Sequence, residues 1–278
     1  MRHSLLESRL TSSARVTPTP HSSFATSQTY GRCGMHQTRP IPTLSDLDNR
    51  DVIIHECGEP MIKVDPVDRL KVCPAYFARG FATAGSSVYL RTGVVEVLHA
   101  ATRTLPDNLC ILIYDGFRSL ETQKEIADRF AADLLDCPLS NELRAATISR
   151  FVSPLPGSEA EYHLAPPPHC TGAAVDVGLA TVEGTLIDLG AEFDQFDDVA
   201  ATAYYEGTFR RIKSANDRTR RDMRRLLYWT MVRAGFAPYP DEYWHFELGT
   251  RRAAAFFGLP AAKYGGIATW PQGKVAML

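Results

Sequence analysis

The sequence predicts a folded chain in which strands and helices are mixed, and three observations carry that expectation. The 278 residues are 45% hydrophobic and 22% charged, ordinary for a globular protein and enough for one large domain or two small ones. One continuous β-prone run, Leu109–Tyr114, ends in Asp115-Gly116 and leads straight into a helical pattern, as a core strand does. Further stretches carry apolar residues at helical spacing and end on clear stops. A net charge of −2 creates no demand for a nucleic-acid or anionic-membrane partner. No apolar run approaches the ~18 residues that suggest a membrane span.

Residues 1–40 are rich in Ser, Thr, Pro and Arg, with Glu7 the only acid, and read as a disordered extension. Their composition also fits an organelle transit peptide or an upstream start, with Met35 as a second start. They lack the apolar segment of a secretory signal, so the expected compartment is the cytoplasm. Folded character is expected over residues 41–278. Asp51–His55 reads as a strand, Gly58-Glu59-Pro60 as a turn and Met61–Val64 as a second strand. Thr92–Thr104 has amphipathic helical spacing. Leu109–Arg118 reads as a central strand buried on both faces. Ser119 then opens a helix over Leu120–Leu135, and Asn141–Phe151 forms another. A loop with five prolines spans 153–168. Ala173–Ala180 reads as a buried strand, turned at Glu183-Gly184 into a second hairpin arm over 185–189. The acidic stretch 190–198 is either a solvated surface or the source of an acid for a cationic group. Asn216–Gly235 is the longest helix, with Arg218–Arg225 expected as a solvated face. Pro238 and Pro240 keep the next segment out of a helix, and its aromatics favour a strand. A short helix and a loose tail close the chain.

Chemistry concentrates where His169 follows Pro166-Pro167-Pro168 and precedes the strand that holds Asp176. A carboxylate among Ala, Val and Leu costs several kcal/mol, roughly, unless a cation or donor set satisfies it. A histidine seven positions earlier suggests two ligands of one metal, and His245 supplies the third candidate. Two histidines and one carboxylate with a position open to water suit a catalytic zinc. The same set fits non-haem iron, although such sites usually use a tighter H-x-D spacing. Glu242, three residues before His245, would be the general base. On an ideal strand it would face away from His245, so a bend or strand entry is expected there. Arg118, where a core strand exits into a helix, is either a tie to a carboxylate or a cation aimed into a cleft; beside a metal it would stabilise an oxyanion. The six cysteines show no C-x-x-C pair and are expected reduced and packed, with Cys170 a competing ligand only by its position next to His169. His55 and His99 are expected to be packed or exposed rather than ligating.

Three ordered motifs, Asp115-Gly116-Phe117-Arg118, His169 to Asp176 with Gly172 between them, and Glu242-Tyr243-Trp244-His245-Phe246, resemble the VanX-type D-alanyl-D-alanine dipeptidases. These belong to the zinc D,D-peptidases, related in fold to hedgehog domains. The resemblance covers roughly residues 41–250. It implies an α+β fold: one domain with a central antiparallel sheet flanked by helices and a zinc site in a cleft. It implies one zinc per chain on His169, Asp176 and His245, Glu242 as base and Arg118 as transition-state stabiliser. Asp194 matches the acid that holds the ammonium of a small dipeptide substrate. No nucleic-acid or membrane partner is implied, and oligomeric state stays open. Where the family often has serine before the first histidine this chain has Pro167 and Pro168, and Cys170 replaces a polar residue. A D,D-carboxypeptidase acting on longer wall peptides and a non-catalytic zinc-containing binding module are the alternatives.

Overall fold

The computed structural model describes residues 38–207 and 212–267; what was expected of residues 1–37 (Cys33 among them) and of 268–278 lies outside these. The first part of the chain contains β1 (Ile53–Ile54), β2 (Met61–Lys63), β3 (Leu70–Val72), α1 (Ala75–Ala78), β4 (Tyr89–Arg91) and α2 (Thr92–Thr102). Then come β5 (Leu109–Asp115), α3 (Leu120–Leu135), α4 (Asn141–Phe151), α5 (Glu159–Leu164) and β6 (Ala174–Thr181). The chain closes with α6 (Ala215–Arg233), β7 (Ala237–Pro238), β8 (His245–Glu247), α7 (Arg251–Phe257) and β9 (Ala261–Ala262).

The main sheet has five strands in the order β3-β5-β6-β8-β7. Its β5–β6, β6–β8 and β7–β8 pairs are antiparallel, but β3 runs parallel to β5. The expectation of an antiparallel sheet is therefore corrected to a mixed one. A parallel pair needs a long crossover, and the segment through α1, β4 and α2 supplies it. Two small pairs stand apart: β2 with β4, and β1 with β9, which joins the two ends of the described chain.

Every residue of β6 is buried because both faces of the sheet are covered. On one face Val175, Val177 and Leu179 join Ile111, Ile113 and Phe246 in a core closed by Val94, Val95 and Leu98 of α2 and Leu226, Leu227 and Met231 of α6. The other face carries Cys110, Leu112 and Ala180 at one end. At its other end the same face presents Asp176, which pairs in register with His245 of β8. The β5–β6 register shifts between Ile113 and Asp115, an irregularity that ends regular pairing where the functional loop begins.

The helices start where their capping residues dictate. Ser119 accepts from the Thr122 amide at the head of α3, Ser140 from Leu143 at α4, and Ser214 with Asp217 forms a capping box on α6. Helix α5 lies inside the stretch expected to be only a proline loop. Its cap is Ser158, which accepts from the Glu161 amide. The expected hairpin after β6 is reduced to one bridge, Ala180 to Leu186, around a turn with Gly184 at φ 96°. The basic run of α6 is also corrected. Arg218 is exposed, but Arg224 is buried and donates to the carbonyls of Leu189, Val199 and Ala201, while Arg225 pairs with Glu206. Arg39, inside the expected tail, lies 3.6 Å over the Trp229 ring, and its carbonyl accepts the Trp229 indole N–H.

Candidate metal centre and its cleft

His169 sits in a short 3₁₀ turn, Pro168–Thr171, that Gly172 ends with φ 68°. A side chain at Gly172 would both strain that left-handed backbone and meet Met61 Sδ at 2.9 Å. The turn is tied to the exit of β5. The Arg118 amide donates to the His169 carbonyl, and His169 Nδ1 lies 2.6 Å from the Gly116 carbonyl oxygen. A carbonyl only accepts, so Nδ1 carries the hydrogen and, in the neutral ring, the Nε2 lone pair faces inward.

Inward means toward Asp176 and His245. His169 Nε2 is 3.2 Å from His245 Nδ1 and 3.4 Å from Asp176 Oδ2; His245 Nδ1 is 3.1 Å from Asp176 Oδ1. All three residues are buried and are the one group of metal-binding geometry among the described residues. Ligands about 2.0–2.1 Å from a tetrahedral ion stand about 3.3–3.4 Å apart. The two imidazole nitrogens stand about that far apart, and a carboxylate oxygen of Asp176 lies at similar distance from each of them, Oδ2 from His169 and Oδ1 from His245.

The electrostatics ask for a cation in the same place. Burial raises the Asp176 carboxyl, but His169, His245 and Arg118 outweigh it and hold it well below the usual carboxylate range. Burial disfavours the His245 imidazolium, yet hydrogen bonds to Asp176 and Glu247 push it up to about 10. Positive charge at the centre, as a proton or as a divalent ion that displaces it, is what this donor set stabilises. The residues fit the divalent ion that the sequence implied.

Around the centre lies a cleft of about 210 Å³ whose walls include Tyr76, Arg118, His169, Asp194, Glu242 and His245. Arg118 donates through Nη2 to Asp176 at 2.8 Å and through Nε to Asp115 at 2.5 Å, so both readings of it meet in one side chain, a carboxylate tie that also lines the cleft. Glu242 lies in the bend between β7 and β8, as the spacing to His245 required. Burial pushes its carboxyl up to about 8. Asp194 has φ 61° and accepts from the Tyr76 hydroxyl at 3.0 Å and from Arg79 Nη1 at 2.8 Å. Burial pushes it up to about 6. Cys170 belongs to neither the three-residue group nor the cleft wall, and burial pushes its thiol up to about 12, far from a ligand thiolate. His55 is exposed and His99 half-buried on α2.

Sequence reasoning missed Tyr76 and Arg79, which approach from α1 and its end, and Glu247, whose Oε1 lies 3.2 Å from His245 Nε2. Glu247 had a readable signal: residues two apart on a strand share a face.

A family model described as D-ala-D-ala dipeptidase, Peptidase M15, matches residues 91–258, a span that contains Arg118, His169, Asp176, Asp194, Glu242 and His245. A D-alanyl-D-alanine dipeptidase of Synechocystis is 32% identical over 213 residues, 70% of this chain and 84% of the relative. The Escherichia coli D-alanyl-D-alanine dipeptidase is 34% identical over 80 residues, 29% of this chain and 37% of that protein. A solved structure of VanYB in complex with D-alanine-D-alanine is 17% identical and covers 64% of this chain and 82% of its own, with a TM-score of 0.37, too slight a likeness to carry argument. The matched span and the Synechocystis relative are decisive: the chain belongs to the peptidase M15 family of D-Ala-D-Ala dipeptidases and is a metallopeptidase.

Proposed function

We propose that the chain hydrolyses D-alanyl-D-alanine, or a closely related small D-amino-acid dipeptide, with one zinc ion held by His169, Asp176 and His245. The observation that carries the reading is the convergence of those three side chains, with a ligand atom of each within 4.8 Å of the others, in a cleft that Glu242 also lines. A zinc ion there supplies Lewis-acid activation of a water at neutral pH.

The remaining work falls to the chain's own residues. Glu242, in the wall of the cleft, accepts the water's proton at its carboxylate and hands it to the leaving amine. Arg118 lines the same space, and its guanidinium donates to the oxygen on which negative charge develops. Asp194 accepts from the free ammonium of the dipeptide. Arg79 and Tyr76 hold that carboxylate in place.

The size of the cleft supports a dipeptide over a longer wall peptide. At about 210 Å³ it is smaller than the roughly 300–1,000 Å³ of drug-sized ligand pockets. A binding module without turnover would need neither Glu242 nor Arg118 in the wall. Residues 41–278 act as one catalytic domain in this reading, supported by the pairing of β1 with β9. No described helix is long and apolar enough to cross a membrane. A reducing, cytoplasmic compartment belongs to the same proposal, supported by free thiols at Cys57, Cys73, Cys110, Cys137 and Cys170.

The test is amine release from a dipeptide panel running from L,L to D,D, together with N-acylated D-Ala-D-Ala, by zinc-loaded protein. Cleavage confined to free D,D-dipeptides is the expected result. Release of D-Ala from the acylated peptide at equal efficiency would replace the reading with a carboxypeptidase, and no cleavage of any member would end it.

A further inference from the structure

One deeply buried carboxylate near the centre has no part in the metal set or the cleft chemistry. Glu247 is 1% exposed, and its two oxygens are fully engaged. Oε1 lies 3.2 Å from His245 Nε2 and 3.2 Å from Arg252 Nε. Oε2 accepts from the Thr250 hydroxyl at 2.5 Å. Burying a carboxylate this deeply is costly unless donors surround it, and here three do. Its position follows from the strand. His245 and Glu247 are two apart on β8 and face the same side of the sheet, so one carboxylate meets the far edge of the imidazole whose near edge meets Asp176.

We propose that Glu247 is the positioning residue of the metal set: by accepting the Nε2–H of His245 it fixes that ring with Nδ1, not Nε2, toward His169 and Asp176. The support continues outward. Thr250 both donates to Glu247 and caps α7 by accepting the Ala253 amide, so the carboxylate is anchored to the start of a helix. Arg252, in the first turn of that helix, supplies the countercharge and lies 4.6 Å over the Tyr239 ring. Tyr239 in turn meets the His245 ring nearly edge-on at 5.8 Å, which closes off the swing that a flipped imidazole needs. A ligating histidine whose other nitrogen is held by a carboxylate binds its metal more tightly, and loss of such a partner typically costs 10–100-fold in metal affinity.

This inference rests on the metal reading of His169, Asp176 and His245, and the experiment separates the two. Zinc dissociation constants of the full chain are measured by competition with a chromophoric chelator for the parent, Glu247→Gln and Glu247→Ala. Unfolding midpoints of the metal-free proteins are recorded alongside. The expected result is a 10–100-fold weaker constant for Glu247→Ala, largely rescued by Glu247→Gln, whose carbonyl still accepts the Nε2–H. A purely structural role would lower the midpoints and leave the zinc constants together. A parent that binds no zinc overturns the metal reading itself. A parent that binds zinc with Glu247→Ala within threefold of it overturns the role of Glu247 alone. Should Glu247→Ala fail to fold, nitrogen NMR of the zinc-loaded parent decides: a slowly exchanging proton on His245 Nε2 supports the assignment, and a proton on Nδ1 overturns it.

Discussion

Replacing Arg118 by alanine separates two jobs that one side chain performs. Its guanidinium reaches Asp115 at 2.5 Å and Asp176 at 2.8 Å from a side chain only 10% exposed. Without it, two buried carboxylates lose a shared cation. Removing one partner of a buried pair costs about 3–5 kcal/mol. At about 2–4 °C per kcal/mol for a domain of this size, the metal-free variant should unfold roughly 6–20 °C lower. Catalysis should fall independently, since loss of a donor to a developing oxyanion costs about 100–1,000-fold in kcat. Zinc binding should move the other way. Arg118 occupies an oxygen of the ligand carboxylate and repels a second cation, so its removal should leave zinc affinity unchanged or tighter. The assay is kcat on D-Ala-D-Ala, zinc content and unfolding midpoint on one preparation. A variant that keeps zinc and stays within tenfold of the parental kcat would refute the oxyanion role. One that loses zinc would refute the competition for Asp176.

Glu242→Gln should retain zinc and lose about 100–10,000-fold in kcat, the usual worth of a general base; retained activity would reject Glu242 as that base. The base works only when ionised, so parental activity should be present above its pKa and lost as pH falls through it. Burial is the largest cause holding that group at about 8, and a bound cation moves the acid limb below that value. In metal-free protein the raised pKa contributes stability that is complete below about 4.5 and lost as pH rises through about 8. The midpoint of the parent relative to Glu242→Gln should therefore drop across that window, and parallel curves would contradict the burial assigned to Glu242. Asp194→Asn should raise KM for dipeptides with a free amine by about 10–100-fold, the worth of a charged hydrogen bond, and leave N-acylated peptides unaffected. An equal effect on both would remove Asp194 from the amine subsite.

Local chemistry was legible where a single residue decides the structure. Ser119 marks the start of α3, and both α3 and α4 run over the expected residues. Ser158 and Glu161 carried a comparable signal for α5, but five nearby prolines masked it. Relations between distant segments were less legible. Nothing in Leu70-Lys71-Val72 says that this short strand pairs parallel to β5 and makes the sheet mixed. The basic run of α6 looked solvated because Arg224 is satisfied by main-chain carbonyls of residues 189–201, and carbonyls leave no trace in a sequence. Asp176 was readable because an acid in an apolar strand is expensive without a partner, and His169 and His245 were found as the ligands that would satisfy it. Tyr76 and Arg79 were not, since α1 is four residues long and reaches Asp194 only through the tertiary fold.

The most direct measurement is an anomalous-difference map, at the zinc edge, of crystals grown from the full chain with zinc. The account expects one strong peak per chain, about 2.0–2.2 Å from His169 Nε2, an Asp176 carboxylate oxygen and His245 Nδ1. A peak held by other side chains, or no peak among these three, would contradict it.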